Sequence, residues 1–129
     1  MGFLKGIFTW WDGATWGTRL FSRRNGSAVG TDAAGNAYFE SSKPISGRTR
    51  RWVIYAGSND ASRVEPEWFG WLHNQTDLIP ADLPPARAWQ KDPVPNLTGT
   101  AAAFRPVGAL ERGGNRAAAT GDYEAWSPN

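Results

Sequence analysis

The chain of 129 residues has no cysteine, which excludes disulfide staples, a thiolate nucleophile and iron–sulfur ligation. A reducing compartment fits that composition. Only one histidine is present, His73, so a zinc site of the usual His/Cys kind and a triad needing a second histidine are excluded as well. No run approaches the roughly 18 apolar residues that would span a bilayer. The apolar start is short, aromatic and closed by Asp12 and Gly13, unlike a secretory signal. Met1-Gly2 opens like an acylation site, but Gly6 stands where Ser or Thr is wanted. Nor does one charge dominate: 14 Lys and Arg face 12 Asp and Glu, and a formal +2 does not by itself argue for nucleic acid.

What the chain does have is concentrated between Arg48 and Asp77. Trp52-Val53-Ile54-Tyr55 is wholly β-branched or aromatic and carries apolar groups on both alternating faces, the pattern of a central strand covered on both sides. Ala56 to Asp60 reads as a turn. Pro66 suits a first helical position, Glu67 complements the helix start, and Trp68, Trp71 and Leu72 recur at helical spacing. Charge is sorted along the chain. Gly17 to Arg51 holds seven basic and two acidic residues, whereas Trp52 to Asp77 holds one basic and four acidic. A basic surface beside an acidic one is a polar interaction face.

Around this unit the rest takes simple forms. In residues 1–14, Phe3, Leu4, Ile7, Phe8, Trp10 and Trp11 follow three- and four-residue spacing, which predicts an N-terminal amphipathic helix. Such a helix docks on protein or lies at a membrane interface, where paired tryptophans are at home. Residues 15–79 form the body. Within it, Gly17 to Ser22 reads as a strand entering an Asn25-Gly26 hairpin, Ser27 to Thr31 as its return, and Ala37 to Glu40 as the next strand. The predicted class is α+β, with an antiparallel sheet of three or four strands and one short helix. Residues 80–129 hold seven of the nine prolines and no sustained period, so they cannot build a core. Trp89, Phe104, Tyr123 and Trp126 punctuate this extended tail, as if to pin it on a partner; a disordered tail without a role is the plain alternative.

A body this small buries too little surface to be robust without staples, and surplus tryptophan beside a Pro-rich tail points to completion by a larger partner. Enzyme chemistry finds little purchase. His73 stands where a helix end favours a cation. Asp32, Asp60, Glu65, Glu67 and Asp77 lie mostly in turns and helix starts. Gly30 and Gly35 match neither a dinucleotide fingerprint nor a P-loop. Single-stranded nucleic-acid binding is the competing reading, because Arg48, Arg50 and Arg51 run into Trp52 beside Tyr38 and Phe39. Against it, those strand residues must also fill the only available core.

The stretches FTWWDGATWGTRLF, VGTDAAGNAYFE, RRWVIYAG and DASRVEPEWFGWLHNQTD resemble, in one collinear order, the small accessory subunit of proton-pumping NADH:ubiquinone oxidoreductase, respiratory complex I. That family includes a mitochondrial assembly-factor paralogue. The family pattern has proline where Glu65 stands and histidine where Phe69 stands, and the tail matches in character only. The resemblance implies a non-catalytic subunit of the peripheral arm near its membrane junction, without a cofactor or metal of its own. NADH, flavin, iron–sulfur clusters and quinone would belong to its partners, the other subunits. Without a mitochondrial presequence the chain looks like the compact bacterial form, peripheral on the cytoplasmic face of the inner membrane. The N-terminal helix would contact lipid or protein. Arg48, Arg50, Arg51, Trp68, Trp71, His73 and the four tail aromatics would form the partner interface.

Overall fold

The computed structural model describes residues 3–8, 13–44, 46–123 and 125–128, and the side chains of Phe3, Lys5 and Phe8 lie outside that description. Trp10 and Trp11, expected on the N-terminal helix, are also outside it. That helix is α1, Phe3–Phe8, and both of its described large apolar residues, Leu4 and Ile7, are exposed.

A second helix, α2 (Trp16–Asn25), replaces the first strand expected from the sequence. Local capping explains the difference. The Thr15 hydroxyl accepts from the Thr18 N–H, and Arg23 and Arg24 stand in the last turn, where the helix dipole favours cations. Asn25-Gly26, expected to be a hairpin turn, is instead the junction at which α2 passes directly into β1. The Gly26 N–H closes the helix on the Ser22 carbonyl.

Strands β1 (Gly26–Thr31), β2 (Ala37–Ser41) and β3 (Arg51–Ile54) form an antiparallel sheet in that order, with a bulge at Val29. The fold is α+β. The sheet has three strands, and two helices pack on it instead of one. β3 is an edge strand and β2 the central one, contrary to the expectation for Trp52–Tyr55. Both faces of β3 are nonetheless partly covered, because a helix lies against each face of the sheet.

One face carries the core. A 3-10 turn over Ala61–Arg63 leads into α3 (Pro66–Leu72), which has Pro66 at its start. Trp68 and Trp71 project from α3 onto Tyr38, which is fully buried. Tyr38 and Trp68 stack at 4.1 Å between centroids, and Trp71 meets both edge-on. Val64 closes the cluster, with Val29, Val53, Tyr55, Leu72 and Ile79 around it. Rings of this size bury roughly 150–250 Å2 each, so three of them supply most of this small core. Gly30 makes the seat possible: a Cβ there would stand 2.8 Å from Trp68 Cη2.

The opposite face carries Trp52. Its indole N–H donates to Ser22 Oγ of α2 at 2.8 Å, and its ring packs against Phe39 and Phe21. Gly26 gives the indole room there as Gly30 does for Trp68.

By compactness the chain forms two units, Met1–Asn96 and Leu97–Asn129. The first includes a segment beyond α3 that is anchored where the Asn96 N–H donates to Ser62 Oγ at 2.8 Å. The second, taken alone, is a succession of turns and one 3-10 turn, Leu110–Arg112, held by ion pairs between near neighbours: Arg105 with Glu111 and Arg116 with Asp122.

Candidate docking surface

Of the acidic residues that acid–base chemistry would need, Asp32, Asp60, Glu65 and Asp77 are occupied with architecture. Asp32 accepts from the Asn36 backbone and amide N–H groups, both at 2.8 Å, and from the Tyr38 hydroxyl at 2.9 Å. Buried Asn36 carries the network onward, donating to the Arg63 carbonyl and accepting from the Ala56 N–H. This joins the β1–β2 turn to the segment after β3 and to the approach to α3. Burial first, and then the bond to Asp32, push the Tyr38 hydroxyl far above its ordinary range, so it remains a donor. Burial likewise raises Tyr55, with the Asp60 charge adding to it. Glu65 accepts from the Ala33 N–H, and Asp60 from the Ser62 N–H and hydroxyl. Among the described residues no cluster of His, Asp and Glu is arranged to hold a metal ion.

The basic run splits. Arg51 turns inward, with only 7 % of its side chain accessible. Its Nη1 donates to the Trp71 and Thr76 carbonyls at 2.8 and 2.9 Å, and its Nη2 donates to Asp77 at 2.5 Å. The guanidinium carbon stands 4.7 Å from the Trp71 ring centroid. It closes the C-terminal end of α3, where free carbonyls collect. Arg48 and Arg50 are exposed. Trp52, the aromatic that would serve a stacking surface for bases, is committed to Ser22, Phe39 and Phe21.

The expected interface residues therefore fall into two groups. Trp68, Trp71 and Arg51 belong to the chain's own interior, because the two tryptophans are the buried groups by which helix α3 docks on the sheet and Arg51 closes its end. Exposed positions comprise Arg48, Arg50, His73, Trp89, Phe104, Tyr123 and Trp126. His73 ends α3, its backbone N–H on the Phe69 carbonyl and its ring against Phe69. Residues 80–128 expose Trp89, Phe104, Leu110, Tyr123 and Trp126, each at 75 % or more.

A surface that the sequence reading missed lies on the Trp52 side of the sheet. There α2 exposes Trp16, Leu20 and Phe21. On one flank of the helix a groove of about 500 Å3 is lined by Gly17, Thr18, Phe21, Arg50, Trp52 and Val53. On the other a groove of about 430 Å3 runs between Arg19, Ser22 and Arg23 of α2 and Ala28, Ala37, Phe39 and Ile54 of the sheet. The four-residue spacing of Trp16 and Leu20, once 16–25 is known to be helical, would have revealed it.

Comparison with known proteins places these features in a family. The family model for NADH ubiquinone oxidoreductase subunit NDUFA12 matches residues 26–128, which takes in the sheet, α3 and nearly all of the tail. The chain is 39 % identical over 88 residues to NADH dehydrogenase [ubiquinone] 1 alpha subcomplex subunit 12 of Dictyostelium discoideum, covering 66 % of this chain and 63 % of that one. With the Mus musculus protein of the same name it is 45 % identical over 80 residues, covering 52 % and 54 %. A Rickettsia prowazekii protein named uncharacterized protein RP725 is 35 % identical over 71 residues, covering 54 % and 71 %. The matches thus span a little under two thirds of the Dictyostelium relative's length and about half of the mouse relative's.

Proposed function

The chain belongs to the NADH ubiquinone oxidoreductase subunit NDUFA12 family, and from that membership we propose that it is a non-catalytic accessory subunit of respiratory complex I. Its partners are the other subunits, and its place is on the peripheral arm near the membrane junction, on the cytoplasmic face of a bacterial inner membrane. The bacterial part of this reading draws on the similarity to a Rickettsia protein. The observation that carries the reading is the reach of the family match through a tail whose aromatics stay exposed on the free chain. Exposed Trp and Tyr on a segment without a core are the anchors expected of a chain that gains order on a larger assembly. In this reading the tail lies over neighbouring subunits, α1 meets lipid or protein at the junction, and the redox groups belong to the partners.

The test is to tag the C-terminus, extract membranes in mild detergent and identify what co-purifies. The reading predicts NADH:quinone oxidoreductase at about one copy of the chain per complex, with NADH oxidation intact. Recovery with incomplete arms alone would make the chain an assembly factor. Recovery alone or on nucleic acid would end the proposal.

A further inference from the structure

We propose that the groove between α2 and the Trp52 face of the sheet seats an acidic–apolar polypeptide segment of a neighbouring subunit. Its apolar side chains would lie on Ala28, Ala37, Phe39 and Ile54, and its carboxylates against Arg19 and Arg23. The proposal rests on the accessory-subunit reading and says where and by what chemistry one contact is made.

Three observations lead to it. First, the sheet is covered unequally. Tyr38, Trp68 and Trp71 fill one face, whereas α2 lies over only part of the other and leaves a groove of about 430 Å3. The trough is open where two of its floor residues are small: Ala28 and Ala37 hold strand positions where a larger apolar residue would have filled it from within. Second, the rim is basic and uncompensated. Of the two arginines that line it, Arg23 makes no ion pair or side-chain hydrogen bond among the described residues, nor does its chain neighbour Arg24, and Arg19 reaches only the Ala14 carbonyl, at 3.4 Å. Neither α2 nor β1 contains an acidic residue, and by strand alternation Glu40 projects from the opposite face, beside Arg51. Arginine forks of this kind pair with carboxylates in two-pronged geometry. Third, the shape selects among anionic partners. The apolar floor and the arginines of α2 line one and the same groove. Its one aromatic, Phe39, already has one face stacked on Trp52, so the groove lacks the run of free rings on which successive bases stack. A polypeptide can place apolar groups on the floor and carboxylates on the rim together.

For the test, a photoreactive benzophenone side chain is installed in place of Arg24 in the tagged full chain. Membranes are irradiated, the complex is purified through the tag, and the cross-linked peptide is sequenced. The expected product is an adduct to another subunit, at a segment where Asp or Glu flanks apolar residues. Arg19→Glu with Arg23→Glu lowers its yield roughly tenfold or more, and changing the facing carboxylates to Lys restores it. Ala28→Tyr, which fills the trough and leaves the charges in place, lowers it similarly. The proposal is overturned by an adduct to lipid, to RNA or to a second copy of this chain. It is equally overturned by no adduct while the complex still co-purifies, or by a yield that neither variant reduces. If the complex does not co-purify even with the unmodified tagged chain, the accessory-subunit reading falls and this proposal with it.

Discussion

Replacing Gly30 with alanine tests the account of the core most directly, because two opposing effects act on one methyl group. In a strand, Gly→Ala normally stabilises by about 0.4–1 kcal/mol through the unfolded chain. Here the added Cβ would stand 2.8 Å from Trp68 Cη2 and 2.9 Å from Cζ2. The indole cannot slide aside. It is 5 % exposed, stacked on Tyr38 and bounded edge-on by Trp71. Overpacking of this sort costs about 1–3 kcal/mol, which outweighs the entropic gain and leaves a net loss of about 0.5–2 kcal/mol. For a folding unit of this size each kcal/mol moves the melting temperature by about 4–8 °C, so a fall of about 2–16 °C is expected on near-ultraviolet circular dichroism. A Trp68→Phe background supplies the control, since the smaller ring leaves space for the methyl. There Gly30→Ala should cost at least about 1 kcal/mol less than in the native background. Equal costs in both backgrounds, or a Gly30→Ala protein as stable as wild type, would refute the close-approach argument.

Two further outcomes follow from the same structure. Arg51→Lys should cost about 1.5–3 kcal/mol in urea unfolding, because one ammonium cannot satisfy two carbonyls and Asp77 as the guanidinium fork does. Asp77→Asn should cost under about 1 kcal/mol because that carboxylate is 93 % exposed; comparable losses would mean that the ion pair and not the helix end dominates. Asp60 has its pKa lowered by the Ser62 N–H and hydroxyl bonds, so its capping of the 3-10 turn is complete above the ordinary carboxylate range and is lost as pH falls through the lowered value. An NMR titration should show the Asp60 carboxyl and Ser62 amide moving together below the usual Asp midpoint, and Asp60→Asn should abolish the Ser62 transition; independent midpoints would contradict the cap.

The parts of this fold that were legible in the sequence are those whose signal is local. Tyr38 and Phe39 read as a strand with opposed faces, and Pro66 with Glu67 read as a helix start, because β-branched, aromatic and N-terminal preferences act over a few residues. Helix α2 was not legible. Thr18 and Phe21 are ordinary strand residues, and Asn25-Gly26 is a strong turn signal. The Thr15 cap and the final arginines outweighed both. The edge position of β3 and the inward turn of Arg51, Trp68 and Trp71 depend on tertiary pairing, to which composition is blind. An arginine beside a tryptophan looks the same whether it faces a partner or closes a helix. The exposed tail aromatics were legible for the opposite reason, since nothing near them in sequence is able to cover them.

The bonds that shape residues 97–129 join close neighbours: Arg105 with Glu111, Arg112 with the Arg105 carbonyl, Arg116 with Asp122. Order assembled from such short links has no cooperative melting point, because each loop opens without waiting for the next. Deletions from the C-terminus should therefore remove local order in instalments, one loop at a time. Loss of α3 would by contrast collapse the Tyr38 core in a single event.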